Sequence, residues 1–158
     1  MARVDLGIGI REFLEEAQRL PVLDVRTPAE FAHGHIPGAL SFPLFENEER
    51  ARIGTLYNHA GSDAAVLLGL EIIGPRLREY AEKARNLTPS GNALLYCWRG
   101  GMRSNSLAWL LNTSGMHCQT LQGGYKSYRN FLLAKLADPY RYIIVGGMTG
   151  CGKTDIIR

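Results

Sequence analysis

A chain of 158 residues suffices for one well-cored domain but not for two. Apolar residues at 46% and charged residues at 21% exclude a disordered, collagen-like or coiled-coil chain. The net charge of +3 is unevenly spread: residues 1–90 carry 10 basic and 13 acidic side chains, residues 91–158 carry 8 basic and 2 acidic. An electropositive C-terminal part suits an anionic ligand such as phosphate, a phosphorylated small molecule or nucleic acid; a merely solvated basic face is the plainer alternative. Apolar stretches such as Ala64–Leu70 fall far short of the roughly 18 residues of a membrane span, so no membrane association is expected. The N-terminus reads as no signal peptide. Cys97, Cys118 and Cys151 fit neither a disulfide framework nor a metal site, and reduced thiols in a cytoplasm are expected.

In chain order, Ile10, Phe13, Leu14, Ala17 and Leu20 fall at helical spacing, and Pro21 ends that first amphipathic helix. Val22-Leu23-Asp24-Val25 is a short strand. Thr27-Pro28-Ala29-Glu30 reads as a capping box that opens a brief helix, stopped by Gly34. His35-Ile36-Pro37-Gly38 is a turn, so His33 and His35 are read as hydrogen-bonded turn histidines, with a general-base role as the alternative, and Ala39–Phe42 is a second strand. Helices are predicted over Glu46–Tyr57 and Ser62–Leu87, the latter interrupted at Gly74-Pro75. Ala93–Tyr96 is the most strand-like run before a helix carrying Leu107, Leu110 and Leu111. Cys118–Leu121 is a strand, Gly123-Gly124 a turn, and Tyr125–Leu136 a helix broken at Asp138-Pro139. Tyr142–Val145 is a last strand. Strands alternating with helices predict an α/β fold with a central, mostly parallel sheet flanked by helices, and ligands beyond the carboxyl ends of its strands.

Two glycine-rich loops sit at such ends. The first is Cys97-Trp98-Arg99-Gly100-Gly101-Met102-Arg103-Ser104. A cysteine between a strand and a helix N-terminus meets converging backbone N–H groups and positive potential, both of which favour the thiolate. Arg99 and Arg103 add charge, and Gly100 and Gly101 permit a tight cradle. Arg103, at the loop's end, is placed to direct a guanidinium at two oxygens of an anion. A buried, inert cysteine is the alternative for Cys97 and is the reading for Cys118. The Asp24/Arg26 pair is read as an ion pair supporting the loop, with contact to substrate as the alternative. Trp98 is either a base-stacking platform or a lid.

These residues resemble the rhodanese family. Asp24-Val25-Arg26, Glu30-Phe31 and Gly34-His35-Ile36-Pro37-Gly38-Ala39 match its N-terminal signature in order, and Leu121-Gln122-Gly123-Gly124 resembles its late strand and turn. In that family the loop cysteine carries a persulfide or analogous adduct. The C-x5-R-S spacing from Cys97 to Ser104 is one residue longer than in typical sulfur-transfer members and resembles that of related phosphatases, which hold a tetrahedral phosphate. A sulfurtransferase and a C-x5-R phosphatase therefore stand as alternatives.

The second loop, Gly147-Met148-Thr149-Gly150-Cys151-Gly152-Lys153-Thr154, matches the P-loop pattern, with Lys153 for the β and γ oxygens and Thr154 for Mg²⁺. With Arg158 as the last residue it is expected to be incomplete and to hold nucleotide weakly. Both loops in one chain resemble the tRNA 2-selenouridine synthase family. The resemblance implies tRNA as partner, with selenophosphate and geranyl diphosphate as co-substrates and no tightly bound cofactor. It also implies conversion of wobble 2-thiouridine to 2-selenouridine with geranylation as an intermediate step. The expected layout is a rhodanese-like domain over 1–137, then a linker and the first strand and P-loop of a truncated second domain over 138–158.

Overall fold

The structure is a computed structural model that describes residues 6–139 and 146–152. Strand β1 (Gly7–Ile8) leads into helix α1 (Ile10–Glu16), then β2 (Val22–Asp24), α2 (Pro28–His33) and β3 (Leu40–Ser41). A long α3 (Asn47–Ile73) and a 3₁₀ turn at Gly74–Arg76 precede α4 (Leu77–Leu87) and β4 (Asn92–Tyr96). Helix α5 (Met102–Thr113), strand β5 (His117–Leu121) and α6 (Gly124–Leu136) follow. All strands run parallel in the order β1-β5-β4-β2-β3, the fold expected from the sequence.

Residue chemistry accounts for the breaks. Thr27 closes the capping box of α2: its side chain accepts from the Glu30 N–H while the Glu30 carboxylate accepts from the Thr27 N–H. Pro37 and Gly38, with φ of 80° at Gly38 and the Ala39 N–H donating to the Ile36 carbonyl at 2.9 Å, form a turn of type II character. Helix α3 is bent at Gly61 (φ 87°), which separates the two predicted helical stretches, and Gly74-Pro75 splits off α4. Two expectations need correction. Helix α1 stops at Glu16 rather than near Leu20, because residues beyond it tighten into turns. Strand β1 was not anticipated; at two residues it has no periodicity, and only its pairing of Gly7 with Thr120 and Ile8 with Leu121 defines it.

Strand β4 shows the layering. Ala93 and Leu95, followed by Cys97, pack with Leu107, Leu111 and Tyr80 beneath α4 and α5. Leu94 and Tyr96 pack with Phe13, Leu121 and Tyr128 beneath α1 and α6. Between β2 and β4 the strand order reverses direction, so the carboxyl ends of these two strands border the crevice where such sheets bind ligands. Arg26 and Cys97 lie just past those ends.

The β5–α6 turn meets the cysteine loop backbone to backbone. A Cβ on Gly124 (φ 58°) would fall 2.5 Å from the Gly100 nitrogen and 2.8 Å from that of Arg99. A Cβ on Gly100 (φ 65°) would fall 2.5 Å from the Leu121 carbonyl oxygen. Since backbone cannot swing aside as a side chain can, Gly124→Ala is expected to cost roughly 2–4 kcal/mol of stability in urea unfolding. A loss below about 0.5 kcal/mol would show the contact to be slack.

Candidate functional site

Cys97 directly follows β4, and its side chain is 3% exposed. Its Sγ accepts from the Gly101 N–H at 3.3 Å, and the Ser104 hydroxyl lies at the same distance. That hydroxyl is also 3.2 Å from the Gly101 carbonyl, so its single proton serves one acceptor at a time. Burial pushes the Cys97 thiol up. The Ser104 hydroxyl and N–H, the Gly101 N–H and the charge of Arg103 outweigh it and hold the thiol below its ordinary range. Cys118, 2% exposed, has only burial acting on it and is pushed up to about 11. The two buried thiols thus differ in surroundings rather than in burial.

The loop is held from outside by α6. The Cys97 carbonyl accepts from the Tyr125 N–H at 2.8 Å and the Trp98 carbonyl from the Lys126 N–H at 3.0 Å. These are first-turn N–H groups of α6, which have no partner within their own helix. With its carbonyls turned outward, the loop presents the Gly101 N–H at the start of α5 to the sulfur.

Arg103 is placed by Glu30, which the sequence marks as a helix cap and as part of the N-terminal signature but not as a site residue. Its Nη1 donates to Glu30 Oε2 at 2.9 Å, and the same oxygen accepts from the Thr27 N–H at 2.9 Å. Burial raises the Glu30 carboxyl, but Arg103 and the Thr27 N–H more than compensate and leave it below the usual carboxylate range. Arg99 is exposed. Arg26 and Asp24 form a fully buried pair, with Nη2 and Oδ2 2.6 Å apart, that also binds the Gly34 carbonyl and the Tyr96 hydroxyl. Trp98 leans over Tyr125, ring centroids 5.7 Å apart. His35 stacks on Phe31 and its Nδ1 lies 3.0 Å from the Phe31 carbonyl, a hydrogen-bonded turn histidine.

Sequence pattern gave no sign of a cavity of about 570 Å³ between α3 and the start of α5. Its walls include the apolar Ile53, Val66 and Leu70, and the cationic Arg50, Arg99 and Arg103. It is formed by packing of the bent α3 and so has no local signature. In the second glycine loop, Gly150 and Gly152 adopt φ of 85° and 78°, and the Cys151 N–H donates to the Met148 carbonyl. Gly147 belongs to the same exposed segment; the strand predicted over 142–145 and Lys153 and Thr154 lie outside the described residues. No described helix is long and apolar enough to cross a membrane.

The chain belongs to the rhodanese-like domain family, whose model matches residues 10–131. It is 43% identical over 148 residues to a tRNA 2-selenouridine synthase of Bordetella petrii and 41% identical over 146 residues to one of Pseudomonas fluorescens. These matches take in 88% and 87% of this chain and 39% of each relative, so the chain spans about two-fifths of their length. Among solved structures it is similar to the N-terminal domain of a Clostridium difficile 630 protein named for ATP/GTP binding. That similarity has a TM-score of 0.72 and 37% identity and covers 80% of this chain and 98% of that one.

The thiol environment yields a direct expectation. Because the thiolate is the reactive form, iodoacetamide alkylation of Cys97 should reach half its maximal rate below the pH of an ordinary thiol, while Cys118 should respond only near pH 11. Ser104→Ala should move the Cys97 midpoint upward. Peptide mapping after timed alkylation reads both sites, and equal rates at Cys97 and Cys118 near neutral pH would refute the assignment.

Proposed function

We propose that this chain is the rhodanese-like part of a tRNA 2-selenouridine synthase, with Cys97 as its nucleophile and the 97–104 loop as the cradle for selenophosphate. The observation that carries the reading is the Cys97 thiol, held within hydrogen-bond reach of the Gly101 N–H and the Ser104 hydroxyl, in a chain 43% identical to a relative of that name. Selenophosphate is a tetrahedral anion about the size of phosphate, which suits the longer C-x5-R loop. In this reading Trp98, Arg99, Gly100 and Met102 shape the cradle, Gly101 and Ser104 supply donors, and Arg103 supplies the planar cationic fork. Asp24 and Arg26 support the loop from beneath. The substrate is tRNA, and its wobble 2-thiouridine becomes 2-selenouridine, which places the reaction in the cytoplasm.

Two further elements belong to the same proposal. The geranyl chain of geranyl diphosphate fits the 570 Å³ cavity by polarity, with an apolar floor for the chain and Arg50, Arg99 and Arg103 for the diphosphate. Residues 1–137 form the rhodanese-like domain, and residues 138–158 start a P-loop segment with Gly147, Gly150, Gly152, Lys153 and Thr154. The positive φ of Gly150 and Gly152 suits a phosphate-wrapping turn, and the Clostridium relative is named for ATP/GTP binding.

Selenophosphate, thiosulfate and a chromogenic phosphate ester, supplied separately, separate the alternatives. Selenophosphate is expected to modify Cys97 by attack of the thiolate on phosphorus, an S–P bond forming as the P–Se bond breaks and hydrogen selenide leaves, read as a phosphoryl adduct by intact mass without turnover of the ester. Arg103→Lys keeps the charge but loses the fork, and should weaken anion uptake more than Arg99→Lys does. Steady hydrolysis of the ester, or modification by thiosulfate alone, would replace the reading with a phosphatase or a sulfurtransferase.

For the cavity, Val66→Phe should reduce geranyl diphosphate binding in calorimetry by at least about tenfold, as expected when an aromatic ring fills a ligand's apolar space. Its Cys97 alkylation rate should stay unchanged. Undiminished binding would move the geranyl site elsewhere.

A further inference from the structure

The buried Arg26 is a charged group that the anion chemistry of Cys97 does not use. It is 1% exposed, and its guanidinium lies under three aromatic rings, 4.0 Å from the centroid of Tyr125, 5.4 Å from Tyr96 and 6.0 Å from Trp98. Asp24 fixes its position through both carboxylate oxygens. Tyr125 stacks on Tyr96 at 6.2 Å and meets Trp98 in a tilted contact at 5.7 Å. The outermost ring of this pile is Trp98, 37% exposed and next in sequence to Cys97. Its backbone is pinned by the Lys126 N–H at 3.0 Å.

A large, partly exposed ring held in place by its neighbours loses little freedom when something stacks on it. The charge around it narrows what that is. Lys126 and Arg129 are exposed, lie about one turn apart on α6, and pair with no carboxylate among the described residues. From residue 91 to residue 137 the chain carries no acidic side chain at all. An aromatic ring beside two exposed cations that pair with no described carboxylate matches single-stranded nucleic acid, whose bases offer π-faces and whose backbone offers phosphates.

We infer that Trp98, Tyr125, Lys126 and Arg129 form an RNA-binding surface on which an unpaired base stacks against Trp98 while Lys126 and Arg129 meet the flanking phosphates. The inference rests on the tRNA reading above and adds to it the face that receives the RNA. Base–aromatic stacking is sequence-tolerant, so the surface reads the presence of an unstacked base rather than its identity.

The test uses the 158-residue chain and two fluorescein-labelled RNAs, a stem-loop with an unpaired uridine-rich loop and a blunt duplex of the same stem. Trp98→Ala should weaken stem-loop binding by about 5- to 100-fold while leaving duplex binding unchanged, and Trp98→Phe should recover most of the loss. Replacing both Lys126 and Arg129 by Gln should weaken both RNAs and flatten the salt dependence. On a Trp109→Phe background, the stem-loop should quench the emission of Trp98. Stem-loop binding that is indifferent to Trp98→Ala, or Trp98 emission unmoved at saturating RNA, overturns the surface and leaves the tRNA reading standing. Failure of wild type to bind either RNA overturns the surface and counts against that reading, while selenophosphate uptake by Cys97 is judged separately.

Discussion

The ion pair between Asp24 and Arg26 is the constraint on which both sides of the site depend. Burying two charges costs several kcal/mol per ion unless geometry and further hydrogen bonds compensate. Here compensation is extensive: three Arg26–Asp24 contacts between 2.6 and 3.1 Å, the Arg26 N–H and Tyr96 hydroxyl on Asp24, and the Gly34 carbonyl on Arg26. No buried side-chain polar atom among the described residues lacks a partner. The pair links the end of β2 to the last residue of β4, the turn after α2 and the Tyr125 ring of α6. Removing one partner would strand a charge beneath the cysteine loop, a loss of about 3–5 kcal/mol in comparable buried pairs. Positioning, more than net stability, accounts for a group so costly to bury.

Glu30 shows how a local signal acquires a second function through packing. As the N3 residue of the α2 capping box it needs only Thr27, three residues away. In the fold the same carboxylate also takes Arg103, 73 residues on. A depressed carboxyl contributes stability that is present above its unfolded value and lost as pH falls through its folded one. Near neutral pH the link is therefore intact, and Arg103 is held beside the thiol. The helix cap and the site arginine share one oxygen, so neither can be optimised alone.

How much of this was legible beforehand follows from how local each signal is. The Thr27 capping box, the Pro37-Gly38 turn, the break at Gly74-Pro75 and the strand–loop–helix around Cys97 are written within a few residues, and each stands where the sequence put it. The contrast between Cys97 and Cys118 was also readable, because glycine, arginine and serine follow one and not the other. By contrast β1 is defined by pairing with β5 more than a hundred residues away, and the cavity by the bend of α3 against the start of α5. Glu30 meeting Arg103, and Arg26 lying under Tyr125, arise only when separate elements converge. A single sequence carries no record of such distances.

Two helix N-termini meet at the cysteine loop, and they use it in opposite ways. Helix α5 directs the Gly101 N–H at the sulfur, as expected of a helix start that stabilises negative charge. Helix α6 instead spends its first N–H groups on the loop's own carbonyls, those of Cys97 and Trp98. A peptide whose carbonyl is tied outward has its N–H constrained as well, because the peptide unit is planar. The bonds to α6 thus help keep the loop open toward the thiol, and glycine at 100 and 124 is what lets the two backbones approach closely enough to make them. The loop's shape is therefore a property of its contact with α6 as much as of its own residues. The Cys97 thiol, its donors and the exposed ring of Trp98 are set by one shared backbone seam.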